Sequence, residues 1–314
     1  MSEYRGSVVA LSGGIGGAKL ALGLYRVLAP GALTLIANTG DDFEHLGLSI
    51  SPDLDTLLYT LAGLDNRETG WGRRGETWTF MAALEALGGE TWFKLGDGDL
   101  ATHVERTRRL RAGESLSAIT DDFRQRLEIG ARVLPMSDDR VRTRLLTEHG
   151  WLDFQDYFVR LDCAPVVREI VFAGAAEARP HPDVLAALAA DDLIMVVICP
   201  SNPLISIDPI LNIPGMRDAL RACRAPVIAV SPIIAGKAVK GPTAKMMAEL
   251  GLPVEPGAVA RRYSDILTHY VIDEADAGAL DGVDAPIIAT RTLMDTMADR
   301  AALARVVLAI AQSH

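Results

Sequence analysis

The first unbroken apolar run, residues 7–11, stops at Ser12-Gly13-Gly14, as a strand buried on both faces of a parallel sheet does. Residues 16–28 then carry Leu20, Leu24 and Val27 at helical spacing, and residues 33–37 form a second apolar run. Helices are expected over 54–61 and 77–87, with a third strand over 91–95. This βαβαβ alternation predicts a parallel sheet with crossover helices.

From residue 100 to about 130 the pattern becomes charged and helical, and Arg106, Arg108, Arg109 and Arg111 are expected on solvated faces. Residues 140–172 read as short β-like runs around Trp151, Phe154, Tyr157 and Phe158. The alternation resumes with strands at 193–199, 227–230, 269–272 and 287–289. Helical segments fall over 209–221 and 244–250, and a closing helix covers 294–311. The expected fold is α/β, a doubly wound, Rossmann-like, mostly parallel sheet. Residues 1–99 and 191–314 would form its core, and 100–190 a helical or mixed insert or cap.

The loop between the first strand and helix reads Ser12-Gly13-Gly14-Ile15-Gly16-Gly17-Ala18-Lys19. Glycines let a backbone turn tightly and approach a ligand, and a helix N-terminus offers unpaired N–H groups to phosphate. No Gly-Lys-Ser/Thr closes the loop, so it is not a P-loop. Lys19 stands at the third glycine position of a dinucleotide fingerprint, and no ribose-binding acid ends the second strand. An NAD(P) dehydrogenase is therefore disfavoured.

Asn38-Thr39-Gly40-Asp41-Asp42 follows the second strand, and Ser51-Pro52-Asp53-Leu54-Asp55 opens the next helix. Four carboxylates so close repel one another unless a cation or hydrogen-bond donors lie between them, and Mg²⁺ takes oxygen ligands and often bridges to substrate phosphates. Asp53 or Ser51 as a helix cap is the alternative. Asp97, Asp99 and His103 repeat a weaker version of the pattern after residue 95. In the second half, Pro200-Ser201-Asn202-Pro203 forms a rigid polar loop, and Lys237, Lys240 and Gly241 lie in a loop expected at the same sheet edge.

Composition narrows the partners. A formal net charge of -10 without a basic run argues against nucleic acid, and aromatics at 5% leave little stacking surface for single strands. Cys163, Cys199 and Cys223 lack paired short spacing, so buried thiols are expected rather than a zinc site or disulfides. No segment approaches about 20 apolar residues, and the first residues lack the pattern of a signal peptide. A cytoplasmic location is expected, with no membrane partner.

Taken together, SGGIGGAKL, NTGDDFEHLGLSISPDLDTLLYTL, LGDGDLATHVERT, VLPMSDD, CPSNP and VSPIIAGKAVKGPTAKMM resemble the 2-phospho-L-lactate transferase family of coenzyme F-420 biosynthesis, phosphoenolpyruvate variants included. The resemblance implies a guanosine-capped diphosphate donor carrying a three-carbon acid. It also implies Fo, a deazaflavin, as acceptor at its terminal ribityl hydroxyl, release of GMP, Mg²⁺ and a homodimer. On the same grounds Gly13, Gly14, Gly16 and Gly17 would approach the phosphates, with Lys19, Asn38 and Thr39 beside them. Asp41, Asp42, Asp53 and Asp55 would supply metal ligands, and any base would come from the same set. Ser201 and Asn202 could face the guanosine, and Lys240 and Gly241 the deazaflavin or acid. The alternative is a nucleotide-sugar-binding metabolic regulator of similar fold. Asn38-Thr39-Gly40-Asp41-Asp42 followed by Phe43, in place of an Asp-Asp-Gly-Gly-Ser-type stretch, argues for the transferase.

Overall fold

The structure is a computed structural model, and it describes residues 4–66, 68–238, 241–278 and 280–312. In chain order the strands begin with β1 (Ser7–Ser12), β2 (Leu33–Ala37) and the hairpin β3 (Phe43–His45) and β4 (Leu48–Ile50). Next come β5 (Arg132–Pro135), β6 (Arg142–Thr147), β7 (Gly150–Asp153), β8 (Val167–Ala173) and β9 (Leu193–Ile198). The last are β10 (Val227–Val230), the hairpin β11 (Ile233–Ile234) and β12 (Lys237–Ala238), β13 (His269–Asp273) and β14 (Ile287–Thr290). Seven strands form one parallel sheet in the order β14-β13-β10-β9-β1-β2-β5.

The chain winds outward from β1 through β2 to β5, then returns at β9 and winds the other way. The order reverses between β1 and β9, whose register sets Val9 beside Val196. A doubly wound sheet opens its ligand crevice at the carboxyl ends of the strands flanking such a point.

Side chains along each central strand alternate between two hydrophobic layers. Val9, Leu11, Ile36, Val196 and Ile198 face one core, and Val8, Ala10, Leu35, Met195 and Val197 the other. Helices α1 (Gly14–Val27) and α2 (Pro52–Ala62) bury Leu20, Leu24, Leu54 and Leu58 in the second layer, with the last helix, Met297–Gln312, alongside. Pro52 at the first turn of α2 gives up an N–H that would have no helical partner, so it starts the helix without a lost bond. A smaller antiparallel sheet, β7-β6-β8, lies over the first layer through Leu145 and Val167.

Two expectations need correction. Residues 91–95 form no strand; they are a loop between α3 (Thr79–Ala86) and α4 (Asp97–Arg111). Leu95 and Phe93 instead join a satellite core with Ile50, Met81 and Phe43, which satisfies their apolar side chains without a ladder. The strand beside β2 is β5, which lies within the 100–190 stretch read as an insert. That stretch also supplies α5 (Leu116–Arg126), which follows α4 and leads into β5. Among the described residues no helix is long and apolar enough to cross a membrane.

Candidate active site at the strand-order reversal

The loops after β1 and β9 meet at the reversal. The Gly13 N–H donates to Ser201 Oγ at 3.1 Å, and the Gly14 N–H donates to Asp53 Oδ1 at 2.6 Å. Asp53 is held on its other oxygen by Asn38 Nδ2 at 2.9 Å, and the Asn38 carbonyl oxygen accepts from the Gly40 N–H at 2.8 Å. Four motifs distant in sequence thus form one hydrogen-bonded unit.

The glycines of the loop have different reasons to be glycine. Gly14 has φ +61, and a Cβ there would meet nothing within 4 Å. A Cβ on Gly13 would come 2.7 Å from Asp53 Oδ2, and one on Gly16 would come 2.5 Å from the Pro200 carbonyl. At Gly17 it would press on Ser12 and Ser201. Gly14 therefore faces open space, while Gly13, Gly16 and Gly17 let α1 sit against Asp53 and the loop after β9. Lys19 Nζ reaches the Met294 carbonyl at 2.8 Å.

The four aspartates separate into distinct settings. Asp41 and Asp53 lie close enough to repel each other, and burial together with that repulsion holds Asp41 well above the ordinary carboxylate range. Burial likewise raises Asp53 to about 6, against the hydrogen bonds from Asn38 and Gly14. Asp42 is pushed up to about 7 by burial, with Arg142 and the Ser51 hydroxyl pulling the other way. Ser51 Oγ donates to Asp42 Oδ2 at 2.8 Å. Asp41 Oδ1, Asp42 Oδ1 and Thr39 Oγ1 are buried without a hydrogen-bond partner among the described residues.

Asp55 belongs elsewhere. Arg106 grips it with both guanidinium nitrogens, Nη1 donating to Oδ2 at 3.1 Å and Nη2 to Oδ1. The reading of Arg106 as solvated is thereby corrected. It is 1% exposed, because Asp99, His103 and Arg106 share the face of α4 turned toward α2. Arg108 and Arg111 do face solvent, and Arg109 is half-buried between Glu114 and Asp122.

His103 Nδ1 lies 3.3 Å from Arg106 Nη1, and its Nε2 lies 3.2 Å from Asp99 Oδ2 without good alignment. An arginine only donates, so Nδ1 is the acceptor in this contact and Nε2 faces Asp99. Tyr59 OH donates to Asp99 Oδ1 at 2.7 Å. Burial works against a charge on Asp99, yet His103, Tyr59 and Arg106 outweigh it and hold the carboxyl below its usual range.

Asp55, Asp99 and His103 also have spacing that could hold a metal ion. The Arg106 guanidinium already supplies the positive charge there. Asp41 and Asp53 fit Mg²⁺ better: two buried carboxylates that repel each other, one with an oxygen unpartnered among the described residues, beside the glycine loop.

Asp97 has a structural role. It accepts from the Thr79 N–H at 3.1 Å and the Phe80 N–H at 3.0 Å, opening α3, while Glu76 accepts from the Gly98 and Asp99 N–H groups at 2.6 and 2.8 Å, opening α4.

A cavity of about 680 Å³ joins these elements. Gly14, Lys19, Asp41, Asp53, Asp55 and Ser201 line it, as do Asn202 and Gly241. Gly17, Asn38, Thr39 and Asp42 stand behind the lining among its supports. Asn202 Oδ1 caps a π-helical turn, Pro203–Ile207, by accepting from the Leu204 N–H, and its Nδ2 is buried without a partner among the described residues. Lys240 lies outside the described residues. Trp92, Phe93 and the stacked Phe154 and Phe158 give the cavity aromatic walls.

Sequence reasoning missed Arg142, Tyr59 and the role of Arg106. The i, i+4, i+7 spacing of Asp99, His103 and Arg106 was a usable signal for the last; Arg142 and Tyr59 are revealed only by tertiary contact.

The family model for 2-phospho-L-lactate transferase CofD matches residues 8–307. A phosphoenolpyruvate transferase of Kitasatospora aureofaciens is 44% identical, covering 97% of this chain and 98% of that protein. One from Streptomyces griseus is 43% identical over the same shares. Among solved structures, a UPF0052 family member from Bacillus halodurans superposes with a TM-score of 0.63 at 14% identity, covering 98% of this chain and 100% of that one; it shares the fold.

Proposed function

Because the chain belongs to the 2-phospho-L-lactate transferase CofD family, a family of transferases, we propose that it moves a phospho-acid group from a guanosine-capped diphosphate to the terminal ribityl hydroxyl of Fo. The names of the relatives favour the phosphoenolpyruvate-derived acid. The observation that carries the reading is the contact of Asp53 with the Gly14 N–H beside the orphaned oxygen of Asp41. It sets two carboxylates beside the glycine loop, where the diphosphate would lie.

In this reading the acceptor oxygen forms a bond to the acid-bearing phosphorus, the bridging P–O bond to GMP breaks, and the hydroxyl proton passes to water. Asp41 and Asp53 would hold Mg²⁺, which supplies charge neutralisation of the diphosphate when bound. The N-terminus of α1 offers N–H groups to the phosphates. Asn38 keeps Asp53 aimed, and the aromatic walls take a planar ring such as a deazaflavin. Positioning and electrostatics carry phosphoryl transfer, so no dedicated base is required. The protein would act in the cytoplasm and as a homodimer.

The test is incubation with Fo, Mg²⁺ and each guanosine-capped donor, read by mass spectrometry of the product. One donor should yield the phospho-acid adduct of Fo together with GMP, and excess EDTA should abolish it. Undiminished turnover in EDTA, or no product from any donor, would count against the reading.

The raised carboxylates make a pH prediction. Asp42 near 7 and Asp53 near 6 stand above the ordinary 3.8, so the metal-free folded protein holds more protons than the unfolded chain between those values. Their contribution to stability is full below the unfolded value and is lost as pH rises through about 6 to 7. A bound cation offsets the like charges that remain above that range. Added Mg²⁺ should therefore raise the melting temperature more at about pH 8 than at about pH 5.5. An equal increment at both would contradict it.

A further inference from the structure

Among the described residues, five carboxylates and two lysines line the cavity: Asp41, Asp53, Asp55, Asp99 and Asp162 against Lys19 and Lys94. Asp55 is neutralised by Arg106, and Lys19 is tied to the Met294 carbonyl. Lys94 has no hydrogen bond or ion pair to any described residue, and its side chain is exposed.

Its root is nevertheless fixed. Phe93 stands edge-on to Phe43 with ring centres 4.8 Å apart, and Leu95 is fully buried. The loop is thus anchored on both sides of Lys94. Trp92 and Phe93 of the same loop also line the cavity, and the loop is a different element from the glycine loop.

Resting on the function proposed above, we infer that Lys94 meets the carboxylate of the three-carbon acid and makes the site select an acid-bearing donor. A diphosphate held at the glycine loop leaves one further anionic centre on that donor, the carboxylate. In a cavity that also presents Asp99 and Asp162, a carboxylate meets repulsion unless a cation receives it. Phosphoenolpyruvate, phospholactate and phosphoglycerate derivatives all carry this group. Lys94 therefore separates acids from neutral groups, not one acid from another.

The test is isothermal titration of the full chain, with Mg²⁺ and without Fo. The ligands are the guanosine-capped donor that supports turnover and the same molecule with its carboxylate as an ethyl ester. Lys94→Ala should weaken the acid donor about tenfold, the scale of one charge-assisted hydrogen bond partly screened by water, and leave the ester unchanged. Lys94→Arg should keep most of the affinity. Unchanged affinity of Lys94→Ala for the acid donor, or equal losses for both ligands, would overturn the inference while leaving the proposed function standing. Failure of the unsubstituted protein to bind either ligand would end both.

Discussion

Arg106→Ala is expected to lower the free energy of unfolding by about 3–5 kcal/mol, the usual result of removing one partner of a buried ion pair. Asp55 would keep its buried carboxylate with no guanidinium to satisfy it, and His103 would lose the donor that sets its tautomer. Arg106 Nη1 also approaches the Ser49 carbonyl on β4 at 3.4 Å, so α4, α2 and the β3–β4 hairpin share this one side chain. Denaturant unfolding measures the effect. Pairing Arg106→Met with Asp55→Asn should recover part of the loss, because the orphaned charge is then gone. A single-variant loss under about 1 kcal/mol would show that the pair is not the tie described.

Asp53→Asn should cost about 10²–10³ in turnover, comparable with removing a key electrostatic group from other enzyme sites. The substitution is nearly isosteric, yet Asp53 accepts on both oxygens, from Gly14 and from Asn38. An amide presents a donor to one of them in either orientation, so either the Gly14 N–H or the Asn38 amide loses its acceptor. One negative charge beside Asp41 also disappears, which should weaken metal affinity. Raising Mg²⁺ should therefore restore part of kcat through mass action, but not all of it. The measurement is kcat across a Mg²⁺ titration at saturating donor. Wild-type turnover would remove Asp53 from the site, and a low rate indifferent to Mg²⁺ would assign it a role other than metal binding.

The central strands were legible because strands buried on both faces are continuous apolar runs, as in β1, β2 and β9. Residues 91–95 show the limit of that rule. Trp92, Phe93 and Leu95 have a strand's composition, but their partners are side chains of a satellite core, which composition does not distinguish from a ladder. β5 erred in the opposite direction: four residues beginning with Arg132 and ending with Pro135 give a weak signal, as suits a sheet edge. At the site, the glycine loop, Asp41 and Asp53 were each visible as motifs. Their assembly, and the separation of Asp55 toward Arg106, depends on tertiary contacts that local patterns do not encode.

The hydrogen bond from Gly13 to Ser201 spans 188 residues, and β1 pairs with β9 across nearly the same interval. A ribosome adding roughly 5–20 residues per second needs on the order of ten to forty seconds to bridge it. During that time β1 can pair with β2, but its other edge waits for a strand not yet made. An apolar parallel strand with an open edge is a template for the wrong neighbour, including a second nascent chain. The arrangement that brings two distant loops to one pocket therefore also makes birth the vulnerable stage of this protein. Its yield in cells should depend on chaperone cover and on the rate of translation between β2 and β9.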